Sequence, residues 1–278
     1  MLTILKNKNF SLLMFGNATS ILGTLMLNLA LSLYVLQLTN SATQFSFVLS
    51  LQLLATACLS PFAGTLVDGW NKRKTVIYLD LIRGLFALGM FLLSLHSSLN
   101  MAFVYFIVLF YSFSEIFFNP AFASMIPKIV EKEELPNANA LYGVIADTSY
   151  ALAPLIGTSL YALTNISTVL LVTGITYLVS SIVEGFMFFE EENTRGEKVH
   201  YLENVMSGFK LLWLDKKITA LFTNDVLSHL IIFPFISVGI PYIMLTLLEN
   251  SEQSYGIIQS IATIGSIASF LLLPVLKK

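Results

Sequence analysis

Cysteine is almost missing from this chain: Cys58 is the single one in 278 residues. A disulfide framework is therefore excluded, and Cys58, inside an apolar run, reads as a small packing residue. Histidine is nearly as scarce. His96, His200 and His229 are scattered through the chain and form no metal-ligand cluster. No G-x-x-x-x-G-K-[ST] phosphate loop occurs, which argues against an ATP-driven pump. No nucleophile stands beside a base, so an enzyme finds no support. Charge is also thin, at 12% Asp, Glu, Lys and Arg, about half of what a soluble domain carries. The rarest feature is positional. The gaps near 37–42, 96–100, 164–166 and 248–253 contain no Lys or Arg at all.

What is present is apolar length. Hydrophobic residues make up 56% of the chain, and the mean hydropathy is +0.78. Long apolar segments run at about 10–36, 43–67, 75–95, 101–118, 139–163, 167–189, 219–247 and 254–276. Each reaches or approaches the roughly 20 residues that carry a helix across a ~30 Å hydrocarbon core. Barrel strands would be alternating segments of about 10 residues, so continuous runs of this length predict an all-α polytopic membrane protein. All fifteen Lys and Arg residues lie in or near the other set of gaps. The positive-inside rule then places both chain ends in the cytoplasm, in the inner or plasma membrane of the cell. The first run is too long for a signal peptide and lacks a cleavage pattern, so it is expected to stay attached as the first helix.

Three regions follow. Residues 1–189 form a six-helix bundle, 190–218 a cytoplasmic connector, and 219–278 two further helices. In the connector, Val199, Leu202, Val205, Met206, Phe209, Leu212 and Trp213 recur at helical spacing, which predicts an amphipathic helix on the membrane surface or packed under the bundle. Asn119-Pro120 is expected to interrupt the fourth helix, with Pro127 and Pro136 punctuating the loop that follows.

The gap between the second and third runs reads Gly64-Thr65-Leu66-Val67-Asp68-Gly69-Trp70-Asn71-Lys72-Arg73-Lys74. It resembles the G-x-L-x-D-R-x-G-R-R/K signature of the major facilitator superfamily. Gly64, Leu66, Asp68 and Arg73 match, Lys72 keeps a basic residue, and Gly69 stands where the family usually has Arg. Asp80-x-x-Arg83, Asn119-Pro120-Ala121, Ile126-Pro127-Lys128 and Glu133-Glu134-Leu135 are similar to the branch of macrolide-efflux and siderophore-export proteins. Ala153-Pro154-Leu155-Ile156-Gly157 resembles the G-P-x-x-G element of exporters, with Ala153 replacing its first Gly. The resemblance implies twelve helices in two halves, with substrate bound between them near the midplane, and this chain is expected to end after the eighth. It also implies that Asp68 helps latch the cytoplasmic gate, pairing with Arg73 or facing a helix N-terminus.

An ionisable side chain at the centre of a membrane helix costs roughly 2.5–3.5 kcal/mol, so such groups mark function or a paired structural site. Asn17, Ser20, Thr24 and Asn28 fall within about 80° of one another on helix one. They either line a cavity or hydrogen-bond neighbouring helices. Asp147 on helix five is the first proton-coupling candidate and Glu115, at matching depth on helix four, the second. Gly143, Asp147, Tyr150, Pro154 and Gly157 share one helical face, expected to be crowded with small residues. Asp225 and His229, four residues apart on helix seven, are a second candidate pair. Glu184 is expected to snorkel from the end of helix six. The leading expectation is proton-driven export of amphiphilic small molecules by alternating access. Its partners would be a small-molecule substrate and the bilayer, without nucleic acid, metal or bound cofactor. The alternative is a non-transporting remnant or scaffold derived from such a transporter.

Overall fold

The structure, a computed structural model, describes residues 2–97, 99–188, 214, 216–248, 253–258, 261 and 265. A 3-10 turn at Leu2–Lys6 leads into α1 (Lys8–Thr39), α2 (Ala42–Asp68), α3 (Lys72–His96) and α4 (Met101–Ile129). A second 3-10 turn at Lys132–Glu134 precedes α5 (Leu135–Leu163) and α6 (Ile166–Gly185). Six helices among the described residues are long and apolar enough to cross a membrane. After them comes α7 (Lys216–Pro234).

The helices begin where the sequence offers a cap. Asn7, Ser41, Asn71, Asn100 and Asn165 each accept a hydrogen bond from the backbone N–H three residues on, satisfying one of the orphan donors of a first turn. Asn40 closes α1 in the left-handed region, at φ 48°, which Asn tolerates because its short polar side chain bonds locally. The turns are consequently short, and consecutive helices run antiparallel. α1 is central: it packs on α5 and α6, while α3 packs on α6 and α2 on α4.

Where helices meet most closely, glycine is the reason. A Cβ on Gly84 would lie 2.9 Å from Leu178 and 3.1 Å from the Gly174 carbonyl, and one on Gly174 would lie 3.2 Å from the Gly84 carbonyl. α3 and α6 therefore touch backbone to backbone, the small-residue packing of membrane helices. Two apolar cores result. One, toward the basic end of the bundle, gathers Phe10, Leu13, Met14, Val67, Val76, Phe122 and Met125. The other, toward the opposite end, gathers Leu27, Leu31, Val48, Met90, Ile107, Val169 and Leu170.

Three sequence expectations change here. α4 is not interrupted at Asn119-Pro120; it runs on through Pro120 and Pro127 to Ile129. Phe118, Ala121, Phe122, Met125 and Ile126 are buried around the proline, and their packing holds the helix across the missing N–H. The Ser124 hydroxyl also donates to the Pro120 carbonyl, 2.6 Å. Cys58 lies on an exposed face of α2 rather than packed inside it. The run 219–247 is α-helical only to Pro234, and continues in wide π-type turns at Phe235–Gly239 and Tyr242–Leu247. Pro234 and Pro241, which cannot donate to the turn before them, account for the widening. The connector helix predicted over Val199–Trp213 and most of the run 254–276 lie outside the described residues. Of the latter, Gly256 packs on Thr158 and the Pro154 carbonyl of α5.

Candidate proton and gate sites

Between the two apolar cores lies a band of buried polar and charged side chains. On α3, spacings of four, three and four turn Val76, Asp80, Arg83 and Ala87 into the bundle. Asp80 and Arg83 form an ion pair, Arg83 Nη1 to Asp80 Oδ1 3.2 Å, with side chains 0% and 3% exposed. The Ser20 hydroxyl of α1 donates to the other oxygen, Asp80 Oδ2, at 2.7 Å. A charge sealed from water needs this pairing, since an unpaired buried carboxylate would cost several kcal/mol. The Arg83 guanidinium also lies 4.7 Å from the centre of the Phe118 ring and 5.6 Å from that of Tyr177. Tyr111 donates to the Arg83 main-chain carbonyl, 3.0 Å.

α6 supplies the opposing wall. Thr173, Tyr177, Ser180 and Glu184 are buried on one face at spacings of four, three and four. Tyr177 shares a 2.6 Å hydrogen bond with Thr24 of α1. Ser180 donates to the Gly16 carbonyl, 2.8 Å, and Ser181 to the Ile77 carbonyl, 2.9 Å. Glu184 does not snorkel. It is fully buried, held in by α1 and α3, and neither of its oxygens hydrogen-bonds among the described residues. It occupies the space a side chain at Gly16 would fill: a Cβ there would be 2.7 Å from Glu184 Cγ.

The polar stripe of α1 thus divides. Ser20 and Thr24 face α3 and α6 and are engaged in helix-to-helix hydrogen bonds. Asn17 is buried with its carbonyl oxygen unpartnered among the described residues, and Asn28 is half-buried. Glu115 is half-buried and within electrostatic reach of Arg83 and of Tyr142 and Tyr150 on α5. Asp147 departs from expectation. It is exposed, as is Tyr150, and nothing lies within 4 Å of a Cβ built on Gly143. Only the far end of that face is crowded, where a Cβ on Gly157 would meet the Met26 backbone at 3.1 Å, and Ala153 is buried while Pro154 is half-buried. Helices crossing at an angle touch over only a turn or two, so α5 leaves α1 before Asp147. Asp225 is exposed on α7, and the His229 side chain lies outside the described residues, so the two are not brought together as a site.

The motif between α2 and α3 ties helix ends together within the bundle. Asp68 and Leu66 are exposed and Gly64 is half-buried. Arg73 turns away from Asp68: Nη2 donates to the Gly185 carbonyl at the end of α6, 2.9 Å, and the guanidinium lies over the Phe188 ring at 5.4 Å. The carbonyl is the nearer strong acceptor because the close packing of α3 on α6 brings that helix end to Arg73. Lys72 is buried and caps α2, donating to the Asp68 carbonyl at 2.5 Å and the Trp70 carbonyl at 3.0 Å, the placement expected of a cation at a helix C-terminus. Asn9 of α1 closes the same corner with two bonds to the Phe188 backbone, 2.6 and 2.9 Å.

Sequence reasoning missed Glu184, Tyr177, Ser180 and Tyr111. The signal was available for α6, in the run Thr173, Tyr177, Ser180, Glu184 at helical spacing. For Tyr111 the signal was its place one helical turn before Glu115 on α4.

Six bilayer-length helices with charged side chains sealed between them define a multi-pass α-helical membrane protein. The model of the Major Facilitator Superfamily matches residues 13–278, and the chain belongs to that family. It is similar to Macrolide efflux protein A of Streptococcus pyogenes, 22% identical over 221 residues, covering 79% of this chain and 55% of that protein. The counterpart from S. pyogenes serotype M6 aligns with the same figures. The chain spans about half the length of these curated relatives.

Proposed function

We propose that the chain serves the efflux of amphiphilic, macrolide-like small molecules across the cell membrane by alternating access, driven by the proton gradient. Both ends would lie in the cytoplasm, and the partners would be the substrate and the bilayer, with no bound cofactor. The observation that carries the reading is the charged band itself. Asp80, Arg83 and Glu184 are retained in the interior of a bilayer-length bundle, where charge is costly and usually marks an ion or substrate pathway. The direction of transport rests on the similarity to a macrolide efflux protein, which favours a transporter over a remnant.

Proton antiport needs a carboxylate that alternates between charged and protonated forms while the cavity changes access. The burial pattern reverses the expected order of the two candidates. Glu115, half-buried and near Arg83, becomes the first choice, and the exposed Asp147 the second. The test is accumulation of a labelled macrolide in an efflux-deficient bacterium expressing the full chain, with and without a protonophore. Expression should lower accumulation, the protonophore should restore it, and Glu115→Gln should remove at least nine-tenths of the effect while Asp147→Asn removes less. Accumulation unchanged by expression of the intact chain would overturn the reading.

A further inference from the structure

We propose that Glu184 is a proton-binding group, set at the junction of α1, α3 and α6 and linked through Arg83 to Asp80 and Glu115. The proposal deepens the transport reading and rests on it for the use to which the proton is put.

The geometry supplies the argument. Glu184 is fully buried, and neither oxygen finds a donor among the described residues. Its surroundings contain one cation, Arg83, for three carboxyls, Asp80, Glu115 and Glu184 itself. On α3, Asp80 already holds Arg83 Nη1 and the Ser20 hydroxyl. On α6 itself, Tyr177 is engaged with Thr24 and Ser180 with Gly16. α1 brings the Gly16 backbone to the contact, and its one charged side chain among the described residues is Lys8 at its start. From α4, Glu115 and Tyr111 face the same guanidinium, and α5 keeps Asp147 exposed. Arg73, at the start of α3, is committed to the Gly185 carbonyl and the Phe188 ring, and Lys74 is exposed. With Asp80 and Arg83 cancelling, a proton on Glu184 removes one negative charge from the cluster, whichever form Glu115 takes. In a low-dielectric interior that difference is large.

The step balances simply. A hydronium ion from the aqueous phase gives its proton to a Glu184 oxygen, forming one O–H bond and leaving water, and the reverse releases it. The structure also holds the group that would answer the new charge: Arg83 Nε and Nη2 make no hydrogen bond among the described residues. Turning toward an ionised Glu184 would loosen the Asp80 pair, and with it the Ser20 bond that ties α1 to α3. The element that meets Glu184 most directly is α1, whose Gly16 backbone rests on the Glu184 side chain.

The test is infrared difference spectroscopy of the full chain in lipid nanodiscs as pH is changed. A protonated-carboxyl stretch should vanish on alkalinisation. The band should persist in Glu115→Gln, which removes the carboxylate proposed above to titrate, and in Asp147→Asn, and it should be absent when Glu184→Gln is added to Glu115→Gln. Gly16→Ala, which displaces Glu184 without removing a carboxyl, should keep the band and shift its midpoint. A band that survives Glu184→Gln in the Glu115→Gln background, or that is lost in Glu115→Gln or Asp147→Asn alone, overturns the proposal. If Glu184→Gln does not fold, Gly16→Ala decides, and an unmoved midpoint overturns it. A wild-type band belonging to Glu184 in a chain that exports nothing would refute the transport reading and leave the proton site standing. Intact export with no Glu184 band would do the reverse.

Discussion

Gly84 and Gly89 differ by one and a half turns of α3 and test opposite things. A methyl group on Gly84 would meet Leu178 at 2.9 Å and the Gly174 carbonyl at 3.1 Å, whereas nothing lies within 4 Å of one on Gly89. Overpacking against backbone costs about 1–3 kcal/mol. Gly84→Val should therefore lower the thermal aggregation midpoint in detergent, and Gly89→Ala should leave it in place; equal effects would contradict the α3–α6 contact. Ser20→Ala removes one of the two side-chain partners of a buried charged carboxylate. A hydrogen bond to a charged group contributes about 1.5–3 kcal/mol, so Ser20→Ala should also lower that midpoint, while Ser20→Thr, keeping the hydroxyl, should recover part of the loss. At this scale the sequence showed that Ser20 and Asp80 are polar residues in apolar runs. That they touch could not be read, because they are 60 residues apart and their pairing depends on how α1 and α3 meet.

Among the elements, the α2–α3 turn is the one whose role changed most. Its motif was legible residue by residue, yet the expected Asp68–Arg73 pair did not form, because Arg73 is drawn to the end of α6. The turn is thus tied to the last turn of the six-helix bundle and, through Asn9, to α1. Arg73→Gln should speed hydrogen–deuterium exchange in both 69–74 and 185–188; exchange altered in only one segment would count against this tie. α4 teaches the complementary lesson. Asn119-Pro120 is a sound local stop signal, but local propensity yields to packing when the residues on either side of the proline are buried. α5 shows the limit of periodicity, which assigns residues to a face but not the length of face that a crossing helix covers.

For the molecule as a whole, the charge pattern predicts an orientation that chemical labelling can check. In a Cys58→Ser background, cysteines at Asn40 and Ser97 should react with an impermeant maleimide from outside intact cells, and one at Asn71 should not. Labelling at Asn71 would invert the topology. The layering of the bundle, with a polar band between two apolar cores, predicts further that Asp80→Asn and Glu184→Gln perturb α1, α3 and α6 together, visible as coupled changes in exchange protection across all three.

Sequence alone determined the class, the six described spans and most of their ends. Apolar length, capping residues and the sorting of Lys and Arg are local properties, and a bilayer leaves a chain with such runs few alternatives to helices. It also showed, through an ordered set of motifs, which family the chain resembles. Only the tertiary structure decided which polar residues meet. Asp80, Arg83, Glu184 and Ser20 come from three helices, and their contact depends on the glycine-mediated approach of α3 to α6 and on the space left at Gly16. The same packing left Asp147 exposed and turned Arg73 from Asp68, because in a close-packed interior the nearest partner is set by where helices cross and not by where residues stand in the chain.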